Sequence, residues 1–218
     1  METAKGLQTS ERFRIGALLA VAGGLLDAYT YLMRGGVFAN AQTGNIVLLG
    51  VRAVEGDWSG VLHYLLPILA FAAGVIAAEC IRARLKEVRV VHWRQVTVCL
   101  EIVLLALVAF LPQQLNALAN IAVSFVCAVQ VESFRKVHGN AFATTMCTGN
   151  LRSGTERLYQ FIRTGQKEQL LRAAQYGGII LFFIGGAALG AWCSDFLSLA
   201  TVAIACVPLL IAFLLMRR

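Results

Sequence analysis

The sequence predicts an all-α polytopic membrane protein: about six transmembrane helices forming a 3+3 inverted repeat, each half with a re-entrant or broken half-helix. Three observations predict it: the composition, the placement of the basic residues, and a tripeptide that recurs with its surroundings. Of 218 residues, 58% are hydrophobic and 14% charged, against about 45–50% apolar and about 25% charged in a soluble domain. The apolar residues lie in long blocks, the pattern of a chain solvated largely by lipid. A soluble enzyme is thereby the least favoured class. The net charge of +7 does not point to nucleic acid, because the basic residues fall between the blocks and form no stripe interleaved with aromatics.

Runs of about 20 apolar residues place six spans, near Ile15–Met33, Leu62–Ile81, Val96–Leu111, Leu115–Val131, Tyr176–Leu197 and Leu199–Met216. The first is too long for a signal-peptide core and lacks a small-residue cleavage site, so it is expected to remain as a span. The stretches Phe38–Val54 and Phe142–Phe161 are too polar or too short to assign by hydropathy. Topology turns on these two, and the excess of Lys and Arg in cytoplasmic loops decides it. If both enter and leave on one face, with the N-terminus inside, seventeen of the nineteen basic residues are cytoplasmic and only Arg34 and Arg52 lie outside. If both cross, the split is eleven to eight. The expectation is therefore a single transmembrane domain over residues 1–218 with both termini cytoplasmic, repeat 1 covering about 13–111 and repeat 2 about 115–216.

The undecided segments resemble each other. Thr43-Gly44-Asn45 recurs 105 residues later as Thr148-Gly149-Asn150, and the same offset relates Asp27 to Glu132 and Tyr29 to Phe134. Phe71-Ala72-Ala73-Gly74 resembles Phe183-Ile184-Gly185-Gly186 at an offset of 112. Three spans per half is an odd number, so the second half enters from the opposite face, the inverted-repeat arrangement of transporters. Arg34 to Gln42, extended at ~3.3–3.6 Å per residue, reaches the middle of a ~30 Å core. Helix from Asn45 to about Val54 returns about 15 Å. Thr43 and Thr148 are the expected N-caps, with Gly44 allowing close approach. Two positive helix ends would then face one central site.

Acids within apolar spans are costly and commonly face a water path, which makes Asp27 and Glu132 candidates for binding a proton or cation. Glu132 also reads as a helix-end residue, and a TGN reads equally as a surface turn. Glu79 and Glu101 read as partners of Arg82, Arg84 or Arg94, and His63 as an interfacial residue. Arg152 is either shallow or held by Glu132 or Asp27, where it would help bind an anionic group. The basic stretch Tyr159–Gln175 is expected to lie on the membrane surface against anionic lipid. Six cysteines form no metal or redox spacing, no cofactor is implied, and no catalytic motif is present. Gly186-x-x-x-Gly190 and Ala70-x-x-x-Gly74-x-x-x-Ala78 suit close helix packing inside the bundle or a homodimer seam.

Gly24-Leu25-Leu26-Asp27-Ala28-Tyr29, then Gly35-Gly36-Val37-Phe38 and Gln42-Thr43-Gly44-Asn45, resemble the YoaK-like family of bacterial inner-membrane proteins, a domain of unknown function. The resemblance covers essentially the whole chain and implies a small multi-pass protein of the bacterial plasma membrane. The residues favour a small-solute or ion transporter, proton coupling included, with Asp27, Glu132, Thr43, Gly44, Asn45, Thr148, Gly149, Asn150 and Arg152 at the site. A membrane enzyme is disfavoured; a scaffold or accessory subunit is the alternative.

Overall fold

The computed structural model describes residues 13–85, 93–134, 136–137, 140–141 and 147–216. Eight α-helices follow in order: α1 Phe13–Met33, α2 Gln42–Val54, α3 Trp58–Leu85, α4 Trp93–Val108, α5 Asn116–Ser133, α6 Cys147–Thr164, α7 Lys167–Leu197 and α8 Cys206–Leu215. A 3-10 turn, Gln113–Leu115, leads into α5, and a 3-10 stretch, Ser198–Ala205, joins α7 to α8. Between α5 and α6, Lys136–Val137 and Asn140–Ala141 form a two-residue antiparallel pair.

Each of the six apolar blocks is helical. Among the described residues, four helical stretches are long and apolar enough to cross a membrane: Phe13–Met33, Trp58–Leu85, Gln113–Ser133 and the run Lys167–Leu215. That last run has 49 residues, and at ~1.5 Å per residue it would exceed twice a ~30 Å core. It breaks at Ser198, whose φ is 49°. Its second part, at ~2.0 Å per 3-10 residue and ~1.5 Å per α residue, still measures about 31 Å. With 16 residues, α4 is shorter, about 24 Å.

The stretch Tyr159–Gln175 is divided between two helices: its first residues finish α6, and Gly165, at φ 69°, ends that helix with its N–H donated to the Phe161 carbonyl at 2.8 Å. Glycine at this position relieves the strain that a Cβ would bring. Lys167 already begins α7, with Glu168 at the positive helix end.

The helices pair in a reciprocal pattern. α1 lies along α7 as α3 lies along α5; α2 packs on α3 as α6 packs on α7; α4 meets α5 as α8 meets α1. Glycines permit the two long contacts. A Cβ at Gly24 would enter the Phe183 carbonyl, and Cβ atoms at Gly186 and Gly190 would enter the Val21 and Leu25 carbonyls. In the matching pair, a Cβ at Gly74 would enter the Phe125 carbonyl, with Ala70 and Ala78 buried above and below. Backbones in contact gain dispersion and Cα–H···O contacts, the available attraction where lipid is as apolar as the side chains. Gly186 and Gly190 are thus occupied by α1 within the chain, and a homodimer would need another face. Of the α1 window, 72% is buried, against 28% for α3: α1 is central, while α3 and α7 turn Ile76, Leu181, Trp192 and Phe196 outward.

Candidate functional site

After α1 the chain reverses at Gly35 and Gly36, whose φ values of 88° and 78° favour glycine. Residues 37–41 then run back along α1, with Val37 and Ala39 fully buried. The Asn40 N–H donates to Asp27 Oδ1 at 2.7 Å, and Asn40 Nδ2 donates to the Gly23 carbonyl at 3.2 Å. Gly23 and Asp27 are four apart, hence on one face of α1. Asp27 precedes the end of α1 by six residues, about 9 Å. The N-terminus of α2 is therefore drawn back beside a buried carboxylate, the charge that a positive helix end prefers.

The first TGN occupies the opening turn of α2. Thr43 is not the N-cap, which is Ala41 with no side-chain cap bond; the helix opens earlier, and Thr43 is exposed in its first turn. Asn45 fastens the strand instead. Its Oδ1 accepts the Phe38 N–H at 3.0 Å, while its Nδ2 donates to the Phe38 carbonyl at 2.7 Å and to Gln42 Oε1 at 2.9 Å. Gly44 leaves room for the Phe38 ring, which a Cβ would meet at 2.8 Å; that ring stacks on Tyr31 with centroids 4.9 Å apart. In this copy, glycine admits the aromatic ring and asparagine clamps the backbone.

The second TGN likewise opens a helix, α6. Asn150 is buried as Asn45 is, at 2% against 0% exposure. Thr148, Gly149 and Arg152 are exposed. Of the two expectations for Arg152, the one in which Glu132 or Asp27 holds it at depth does not agree with this exposure. Glu132, one residue from the end of α5, is only half-buried, so the residues related by the 105 offset have different surroundings. The residues preceding this TGN, 142–146, lie outside the described residues. Burial, and after it the Asp27 carboxylate, push the thiol of Cys147 above its ordinary pKa. The first residue of α6 is thus within electrostatic reach of Asp27, as is the start of α2.

Two residues that spacing did not single out are the most deeply buried charges among the described residues. Arg34 is fully buried. Its Nε donates to Tyr29 Oη at 2.7 Å, Nη1 to the Pro112 carbonyl at 3.2 Å and Asn116 Oδ1 at 3.0 Å, and Nη2 to the Val108 and Leu111 carbonyls at 3.2 and 2.8 Å. Its own carbonyl accepts from Asn120 Nδ2 at 2.8 Å. All five guanidinium donors are used, on the carbonyl-rich end of α4 where a cation is favoured. Arg34 is therefore a structural staple and not a solvated loop charge. Glu101 on α4 is 1% exposed, with Oε1 lacking a hydrogen-bond partner; it is not the helix-end partner of an arginine. The one signal that could have found Arg34 is its place before Gly35-Gly36, a turn that folds the chain back over it.

Asn120, Ser124, Cys127 and Gln130 form a stripe on α5 at helical spacing, all buried. Gln130 Nε2 donates to the Leu19 carbonyl at 3.3 Å, so with Asn120 on Arg34 the stripe runs antiparallel along α1. Cys127 is within electrostatic reach of both Asp27 and Glu101. An open cavity of about 340 Å³ between α6 and α7, lined by Asn150, Leu151, Leu158 and Leu170 among others, is almost wholly apolar. Among the described residues no group of three His, Cys, Asp or Glu could hold a metal.

A family model described as a protein of unknown function (DUF1275) matches residues 15–215. The chain belongs to this family. The DUF1275 match takes in Asp27, Arg34, Glu101 and both TGN segments, and is consistent with the YoaK-like resemblance. No curated protein and no solved structure matches the chain.

Proposed function

We propose that this DUF1275 chain is a membrane transporter of a small solute or ion, coupled to protons, with its site where the two TGN helix ends approach Asp27. The observation that carries the reading is the buried Asp27 carboxylate, bonded to the chain that enters α2 and within electrostatic reach of the first residue of α6. A charge in an apolar bundle at two positive helix ends is the arrangement that binds ions and charged solutes in transporters with broken helices.

Six spans in a 3+3 inverted repeat are supported by the reciprocal pairing of α1 with α7 and α3 with α5. They are also supported by the equivalent carbonyl contacts of Gly186 and Gly74. In this arrangement α2 and α6 are the re-entrant halves, α4 and the stretch 198–215 are the remaining spans, and the termini and basic loops face the cytoplasm of a bacterium. In this reading Asn45 fixes the opening of α2 and Asn150 holds the equivalent buried place in α6, while Thr43, Gly44, Thr148 and Gly149 line the approach, and Arg152 and Glu132 stand toward the cytoplasmic rim. Lipid is the partner of the outward faces of α3, α6 and α7.

The alternative is a membrane scaffold without transport. It is favoured by the use of Asp27 Oδ1 and the Asn45 amide on the chain's own backbone. Pyranine-loaded proteoliposomes separate the two readings when challenged with a panel of monovalent cations, monovalent anions and zwitterionic amino acids. Transport predicts that at least one of them moves protons in the wild type, with a loss of tenfold or more in folded Asp27→Asn. A panel that moves no protons, or an Asp27→Asn protein as active as the wild type, sinks the site.

A further inference from the structure

We propose that the groove between α6 and α7 binds one anionic phospholipid, its phosphate on Arg163 and Lys167 and one acyl chain laid along the groove. This goes beyond the transport reading and stands whether or not Asp27 takes part in transport.

Two matched helix faces shape the groove. Its lining runs from Leu151 to Leu158 on α6 and from Leu170 to Gly177 on α7, in each case at i, i+3, i+4 and i+7, one face of each helix. Small residues floor its middle: a Cβ at Gly177 would meet no heavy atom within 4 Å. The cavity of about 340 Å³ falls within the range of about 300–1,000 Å³ of small-molecule sites. On α7 the lining continues from Leu170 to Ile180, ten residues or about 15 Å, which is half of a ~30 Å hydrocarbon core. That is the depth filled by the acyl chain of one leaflet. Leu151, Leu158 and Leu170 are exposed, so the groove opens outward and not into the bundle.

The charge stands at one end of this groove. Gly165 turns the chain between α6 and α7, which brings Arg163 and Lys167, both exposed, to the Leu158–Leu170 end. From Arg152 to Arg172 the chain carries five basic residues and two acids. Of these, Glu168 accepts from Arg172 at 2.6 Å, and Arg157 donates to Gln169 Oε1 at 3.2 Å. Glu156, the other acid, is two helical turns before Arg163. Among the described residues, no carboxylate pairs with Arg163 or Lys167. The positive end of α7 lies beside them. An anionic headgroup meets these cations unopposed, as basic clusters at a membrane surface favour, whereas a zwitterionic headgroup brings its own cation against them.

Native mass spectrometry of the purified full chain, given phosphatidylglycerol or phosphatidylcholine with identical acyl chains, tests this. The expected result is one phosphatidylglycerol held per chain, with a roughly tenfold preference over phosphatidylcholine. Replacing both cations, Arg163→Gln with Lys167→Gln, should leave the two lipids bound alike. Gly177→Leu, whose side chain enters the groove, should hold neither. Ala174→Leu fills the same groove from an exposed position and serves if Gly177→Leu yields no monodisperse protein. The proposal is overturned by a wild type that retains no lipid or both lipids equally. It is also overturned by a preference that survives loss of both cations, or by a filled groove that binds as the wild type does. No proton movement is measured, so failure here is distinct from failure of the Asp27 site.

Discussion

Replacing Arg34 with methionine is expected to remove most of the folded protein from detergent extracts, with a loss on the order of 3–5 kcal/mol in what remains. Methionine fills much of the volume but supplies none of the five donors. The Val108, Leu111 and Pro112 carbonyls, Asn116 Oδ1 and Tyr29 Oη would then compete for water that the buried site does not admit freely. The carbonyl end of α4 would lose its cation, and α1 its tie to the α4–α5 connection. Lysine keeps the charge but offers three donors from one point, so Arg34→Lys should recover only part of the loss. Thermal unfolding followed by size-exclusion monodispersity reads the series, with wild type above Lys above Met. Equal stability of all three would show that the network carries no weight.

The second large effect is a contrast between adjacent glycines. Gly186→Leu should fail to assemble, because its Cβ would enter the Val21 carbonyl and the α1–α7 pair, packed backbone on backbone, would have to separate. Overpacking costs about 1–3 kcal/mol even where flexible side chains give way; here the obstacle is main chain. Gly185→Leu, one residue away with no heavy atom within 4 Å of its Cβ position, should assemble as the wild type does. The monomer yield of the two variants checks this. If Gly185→Leu were the damaging one, that face of α7 would be covered by a partner, and the internal assignment of the glycines would be wrong.

What could be read from sequence and what could not divides along physical lines. Apolar blocks and small-residue spacing depend on composition within one helix, and the helices and the glycine contacts follow from them. The sixteen residues between Asp27 and Thr43 signalled a relation, but its content did not follow. The bond partner of Asp27 is a backbone N–H at Asn40, which no residue type announces, and the expected cap at Thr43 gave way to a clamp at Asn45. Arg34 looked like a loop charge because it follows a span; the two positive-φ glycines after it turn the chain back and leave it inside. Glu101 looked paired because Arg94 is seven residues away, two helical turns. Arg94 instead donates to the Ser133 carbonyl at 3.0 Å and lies over the rings of Trp93 and Phe134. Tertiary packing decided both charges.

The central claim is that the two TGN segments enter from opposite faces and leave by the face they entered. Single cysteines at Leu32, Val54, Ile162 and Leu171, all exposed at helix ends, test it in a background where the native cysteines are serine or alanine. Labelling uses a membrane-impermeant maleimide on intact cells and on inside-out vesicles. Re-entry predicts Leu32→Cys and Val54→Cys labelled only from outside, and Ile162→Cys and Leu171→Cys only from inside. Labelling of Leu32→Cys and Val54→Cys from opposite faces would mean that α2 crosses the membrane, and the account would be contradicted.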